Sequence, residues 1–214
     1  MTQPLHPNRV GAAVGIGVLL FVGSARAGGN PGQIVAVGAT HESRVLSLTA
    51  AQGELLYQGR VASAPRAGYV RIYPIFYGLP GAPARLFPAA GILCFDPPPA
   101  TKCRRLPASM RAALAPLRRL PLRLEPPNRV QSLFVGAKQL RLPNVRTAVE
   151  LAFDRGGRSV ASPAGSLTLR IAWRGPGSSS LPRSARLVTN GLYAAGRLYP
   201  LSPGVAAYVK HNLP

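Results

Sequence analysis

The chain has 214 residues, with 26 Lys or Arg against 6 Asp or Glu and a formal net charge of +20. That length suits one domain or two small ones with a real core, and 47% hydrophobic residues excludes a disordered polyelectrolyte. Three histidines, two cysteines and six scattered acids supply little for metal binding or acid–base catalysis.

The first residues have the three parts of a secretory signal peptide. Arg9 and the amino terminus form a positive start, Val10 to Gly23 carries no charge, and Ala25 and Ala27 put small residues before a cleavage point at Gly28. The apolar run is shorter than the roughly 20 residues that cross a bilayer. Residues 1–27 are therefore expected to be removed, leaving an exported protein, periplasmic or secreted, with no transmembrane span.

Pro and Gly number 23 each, which favours short strands joined by turns over long helices. Strands are expected at Gln33 to Val37, Arg44 to Leu48, Glu54 to Val61 and Gly68 to Tyr77, where Pro74 argues for an edge or a bulge. Cys94 and Cys103 are the only cysteines. In an exported chain this pair reads as a disulfide, stabilising the fold by about 2–3 kcal/mol.

A basic run follows. Lys102, Arg104, Arg105, Arg111, Arg118, Arg119 and Arg123 stand with no acid between Asp96 and Glu125, and leucines are interleaved among them. Such a segment fits an anionic membrane surface, with its leucines at the interface and guanidinium forks matched to phosphate oxygens. It equally fits a loop whose leucines cap the core. Ala108 to Ala115 is the one helix candidate, ended by Pro116.

In the second half, strands are expected at Arg129 to Val135 and Lys138 to Leu142, with a turn between them, and at Thr147 to Phe153. Asp154 to Arg158 reads as a turn. Ser166 to Trp173 alternates cleanly, with Leu167, Leu169, Ile171 and Trp173 on one face, and Ala185 to Thr189 adds one more strand. Gly191 to Pro214 reads as a C-terminal arm able to contact a protein partner.

About eight short strands with one apolar face each indicate a mostly β fold, an antiparallel β-sandwich, with an open barrel as runner-up. The domain spans 28–190. The Pro-rich stretch 96–127 is a possible subdivision, and the pattern does not choose between one sandwich and two small β domains. No repeat of fixed period is evident.

Catalytic motifs are absent in recognisable form. His41 with Ser43 and Asp154 is the best nucleophilic triad that can be named, supported by residue type alone; an envelope hydrolase using His41 is thus one alternative. Glu125, Glu150 and Asp154 are the carboxylates available for glycoside cleavage. No metal site or cofactor is indicated. The favoured expectation is a noncatalytic binding or structural accessory of the cell envelope, contacting an anionic component (acidic lipid, glycan or protein). A secreted basic effector or nonspecific nucleic-acid binder is the other alternative, disfavoured by the lack of zinc-finger spacing, an aromatic RNA-binding motif or a recognition helix. Codon bias explains 23 Arg over 3 Lys but not the scarcity of acids.

Overall fold

The computed structural model describes residues 32–95, 102–164 and 167–211. The expected signal peptide lies outside the described residues. The first half runs β1 (Gln33–Val37), β2 (Ser43–Ser47), α1 (Ala50–Leu55), β3 (Arg60–Ala62), β4 (Val70–Phe76), β5 (Leu79–Pro80), β6 (Ala84–Phe87), β7 (Ile92–Phe95), β8 (Lys102–Arg105) and α2 (Ala108–Ala113), then a 3-10 turn at Ala115–Arg119. The second runs β9 (Arg129–Val135), β10 (Lys138–Leu140), α3 (Pro143–Asp154), β11 (Arg158–Ser159), β12 (Leu167–Arg174), β13 (Ser184–Val188), β14 (Gly191–Ala194), β15 (Arg197–Pro200) and α4 (Pro203–His211). A 3-10 turn at Ser178–Ser180 interrupts the loop after β12.

The protein is mostly β, an open sandwich of two antiparallel sheets with 8 and 7 strands, neither closed into a barrel. The first sheet has the order β2-β1-β4-β6-β7-β8-β3, with β5 hanging on β4, and the second β10-β9-β12-β13-β14-β15-β11. These orders are the same topology used twice. Each half makes a hairpin, a helix and an edge strand, crosses back beside the hairpin, runs four neighbouring strands and ends in a helix. The duplication is one of topology, without a sequence period to announce it.

Each sheet buries one face against its own helices. In the first, Ile34, Val70, Ile72, Leu86 and Leu93 pack with Met110 of α2 and with Leu114, Leu117 and Leu120. In the second, Leu133, Leu169, Ile171, Leu187 and Leu192 pack with α3 and α4. Helix α3 is also the layer between the sheets, because its Leu151 packs on Val35, Val37, Tyr73 and Ile75 of the first sheet's other face.

One expected strand is a helix and another is only partly a strand. Thr147 to Phe153 lies inside α3, where Val145, Ala148, Val149, Ala152 and Phe153 are buried. That spacing is one stripe of a 3.6-residue period, and Pro143 at the first turn, with its preset φ, starts it. Glu54 to Val61 splits between α1 and β3. The Thr49 hydroxyl accepts from the Gln52 amide at 3.2 Å while the Gln52 side chain accepts from the Thr49 amide at 2.9 Å, a capping box that starts α1.

Several other expectations match, whereas Pro74 and residues 191–211 are placed otherwise than expected. The helix at Ala108 is present, the Gly136 turn joins β9 to β10, and Leu167, Leu169, Ile171 and Trp173 of β12 face or border the second core. Pro74 is tolerated in an inner strand because β6 pairs only with Val70–Ile72, so Pro74 sits where that neighbour has already left. Cys94 and Cys103 stand directly opposite on β7 and β8 and form the disulfide. Residues 191–211, expected as an arm, supply β14, β15 and α4; Leu192, Ala194 and Tyr199 fill the second core.

Candidate functional site

Where α3 meets the first sheet, a charged cluster is buried. Arg71 on β4 is 1% exposed. Its guanidinium donates to the Asn128 carbonyl at 2.9 Å, to Asp154 Oδ2 at 2.9 Å and to Glu150 Oε2. Glu150 Oε1 accepts from the Val130 amide at 2.8 Å, and the Tyr73 hydroxyl donates to Asp154 Oδ2 at 2.5 Å. Arg123 donates from Nη1 to Asp154 Oδ1 at 3.3 Å and from Nε to the Gly38 carbonyl at 3.1 Å, while its buried Nη2 has no partner. Two cations face two carboxylates, so the cluster is neutral.

Burial disfavours each charge and the neighbours restore it. For Arg71, desolvation opposes the cation, but Tyr73, Asp154 and Glu150 more than offset it and hold its pKa above the ordinary value. For Glu150, burial is the largest influence and raises the carboxyl, against the pull of Arg71 and the Val130 amide. Burial likewise pushes the Tyr73 hydroxyl well up. Every side-chain oxygen of the two acids is occupied, which makes the cluster a clasp between the sheets.

The candidate catalytic residues meet here in part. His41, at the tip of the β1–β2 hairpin with φ 65°, bonds through Nδ1 to the backbone carbonyl of Asp154 at 2.7 Å. The Asp154 carboxylate is turned to Arg71, Tyr73 and Arg123. A triad needs the carboxylate on the imidazole, and this geometry gives the imidazole a backbone oxygen. Glu150 and Asp154 share Arg71, while Glu125 is exposed and its backbone carbonyl accepts from the Tyr69 hydroxyl at 2.6 Å. Among the described residues no group of three His, Cys, Asp or Glu is placed to hold a metal, and no helix is long and apolar enough to cross a membrane.

The basic run is spread over three places. Lys102 and Arg104 lie on β8 in line with Leu93, on the helix-covered side of the first sheet, where Arg104 donates to the Gly59 carbonyl at 3.3 Å. Arg105 points to the other face, directly opposite Arg60 of edge strand β3, and both are exposed. Arg111, Arg118 and Arg119 stand outside the helical layer, with Arg111 and Arg118 bordering one shallow depression. Leu106, Leu114, Leu117 and Leu120 are buried beneath them, so leucine anchoring and arginine exposure hold together. Arg123 belongs to the buried clasp. Among the described residues, Arg60, Arg105, Arg111, Arg118 and Arg119 make no ion pair.

An apolar cleft of about 330 Å³ opens beside the clasp, lined by Val35, Val45, Ile75, Leu151 and Leu201 with Arg155 at its margin. The sequence reading missed the clasp. Its signal was the spacing of Glu150 and Asp154, four residues apart, which puts both on one face once the segment is a helix. Compared with known proteins, the chain matches no family model, no curated protein and no solved structure.

Proposed function

We propose that this is an exported, noncatalytic binding or structural accessory protein of the cell envelope, and that its exposed arginines contact an anionic envelope component. The observation carrying the reading is the Arg60–Arg105 pair. Like charges directly opposite across an antiparallel ladder are destabilising, yet this pair stands exposed at the sheet edge without a carboxylate among the described residues. The acids that would balance such charge are committed elsewhere, Glu150 and Asp154 to the clasp. An anionic partner would neutralise the pair, and Arg111, Arg118 and Arg119, over the helices on the opposite side of the sheet, form a second group of exposed arginines; paired guanidinium groups suit bidentate oxyanions.

The test is retention on the protein's own envelope fraction at low salt and at about 0.5 M salt, where the screening length is only a few ångström. The comparison is a variant with Arg60, Arg105, Arg111, Arg118 and Arg119 changed to Gln. Low-salt retention is expected for the parent and lost in the variant. Equal retention of the two would overturn the assignment of these residues.

A further inference from the structure

The repeated topology allows one half to be used as a template for the other. In the first sheet β4 and β6 place Arg71 and Arg85 directly opposite each other on the face turned away from α1 and α2. Arg71 lies 5.2 Å from the Tyr73 ring, and Arg85 lies 5.7 Å from the rings of Tyr69 and Phe87. This arginine–aromatic face is partly covered by an acidic helix: α3 lays Glu150, Leu151 and Asp154 on it.

In the second sheet the equivalent strands are β12 and β13. They turn Arg170 and Arg186 outward, on neighbouring rungs, since Arg170 pairs with Ser184 and Thr168 with Arg186. The Arg170 guanidinium is 5.6 Å from the Phe134 ring and that of Arg186 is 5.0 Å from the Tyr193 ring. Both are held in place: Arg170 donates to the Gly136 carbonyl at 2.6 Å and Arg186 to the Ser162 hydroxyl. Among the described residues neither makes an ion pair with a carboxylate, and the two acids of the second half, Glu150 and Asp154, both face the first sheet.

We propose that the outer face of the second sheet docks an acidic helix of a protein partner. Carboxylates one turn apart pair with Arg170 and Arg186, and apolar side chains between them cover Phe134 and Tyr193. Side chains on neighbouring rungs lie about 7–8 Å apart on the diagonal, and residues i and i+4 of a helix about 5–6 Å apart, a difference that arginine side chains span. The inference rests on the proposed function in taking the partner to be anionic. It adds a second, shaped surface and narrows the partner to protein.

The probe is a fluorescent, stapled alanine-based helix with Glu, Leu and Asp in the spacing of Glu150, Leu151 and Asp154, followed by anisotropy with the purified chain. A counterpart carrying Gln and Asn in place of Glu and Asp is the control. The acidic helix is expected to bind about tenfold or more tightly than its counterpart, as one charge-assisted pair commonly provides. Arg170→Gln with Arg186→Gln should remove that advantage, and Arg66→Gln with Arg141→Gln, at exposed arginines outside both proposed surfaces, should keep it. Trp173 emission and thermal unfolding verify folding; if the Gln pair fails to fold, Arg170→Lys with Arg186→Lys should still weaken binding several-fold by losing the forked contact. Equal binding of the two helices, or indifference to both changes at Arg170 and Arg186, would overturn the proposal. So would equal competition by anionic vesicles or heparin at matched charge. Envelope retention in the same variants separates the failures: loss with the five-arginine variant alongside an indifferent helix probe leaves the proposed function standing and removes only the docking face.

Discussion

Asp154→Asn tests the clasp at its most connected point. The substitution preserves size and removes one negative charge from a neutral group of four. Arg71 keeps Glu150, but Arg123 loses the one carboxylate it reaches, and its Nη2 already lacks a partner. Removing one side of a buried ion pair costs about 3–5 kcal/mol. The Asp154 and Arg123 side chains are 13% and 17% exposed, so water recovers some of the loss and the lower end applies, about 3 kcal/mol. With a urea slope of about 2 kcal/mol per molar, the midpoint falls by about 1.5 M. Urea unfolding would be followed by far-UV circular dichroism, which sees both sheets, and by the sole tryptophan, Trp173, which sees the second. A loss under about 1 kcal/mol would mean that water enters the inter-sheet layer freely, and the account of a dry clasp would be wrong.

Two further outcomes follow from the same structure. Burial raises the Glu150 carboxyl above its ordinary value of 4.5, so the folded chain holds that proton more tightly than the unfolded one. Its contribution to stability is therefore complete below pH 4.5 and is lost as pH rises through the raised value. Urea midpoints measured across that window should fall more steeply with pH in the parent than in Glu150→Gln, and equal slopes would contradict the sign. The disulfide joins two neighbouring strands near the edge of the first sheet, so Cys94→Ala with Cys103→Ala should lower stability by about 2–3 kcal/mol, or about 5–10 °C in Tm for a chain of this size. An unchanged Tm would show that the β7–β8 ladder alone fixes that edge.

The fold class was legible because alternation is a local property. Leu167, Leu169, Ile171 and Trp173 declare one face of β12 without reference to anything distant. Strands of two or three residues, such as β5 and β11, have no alternation to detect, which is why about eight strands were expected where many more pair. Thr147 to Phe153 was misread since seven residues satisfy both periods; the wider window from Pro143 to Asp154 breaks the tie in favour of helix. The disulfide was legible from the parity of two cysteines together with the expectation of export. The clasp was not, because Arg71 and Glu150 are 79 residues apart and only the tertiary stacking of α3 on the first sheet brings them together. Leu106, Leu114, Leu117 and Leu120 of the basic run are buried beneath exposed Arg111, Arg118 and Arg119, but Leu122 and Leu124 stay exposed, and nothing local distinguished Arg123, whose role depends on Asp154.

The arrangement of charge also bears on why so few acids suffice. An arginine bias alone would scatter cations over whatever surface is available. Here the two acids of the second half sit on one face of one helix, where they neutralise Arg71 and Arg123 in the layer that water reaches least. Desolvation makes an unpaired cation most costly in that layer, so removing a carboxylate there costs more than removing one at the rim, where an exposed pair contributes little. The exposed arginines carry no such structural demand. With a duplicated topology the first sheet's outer face receives α3 from the second unit, while on the second sheet's outer face Arg170 and Arg186 pair with no carboxylate among the described residues. The arginine–aromatic pairs of the second sheet are thus the position at which a further acidic helix would complete the same packing, and a partner supplying one would extend the internal design outward.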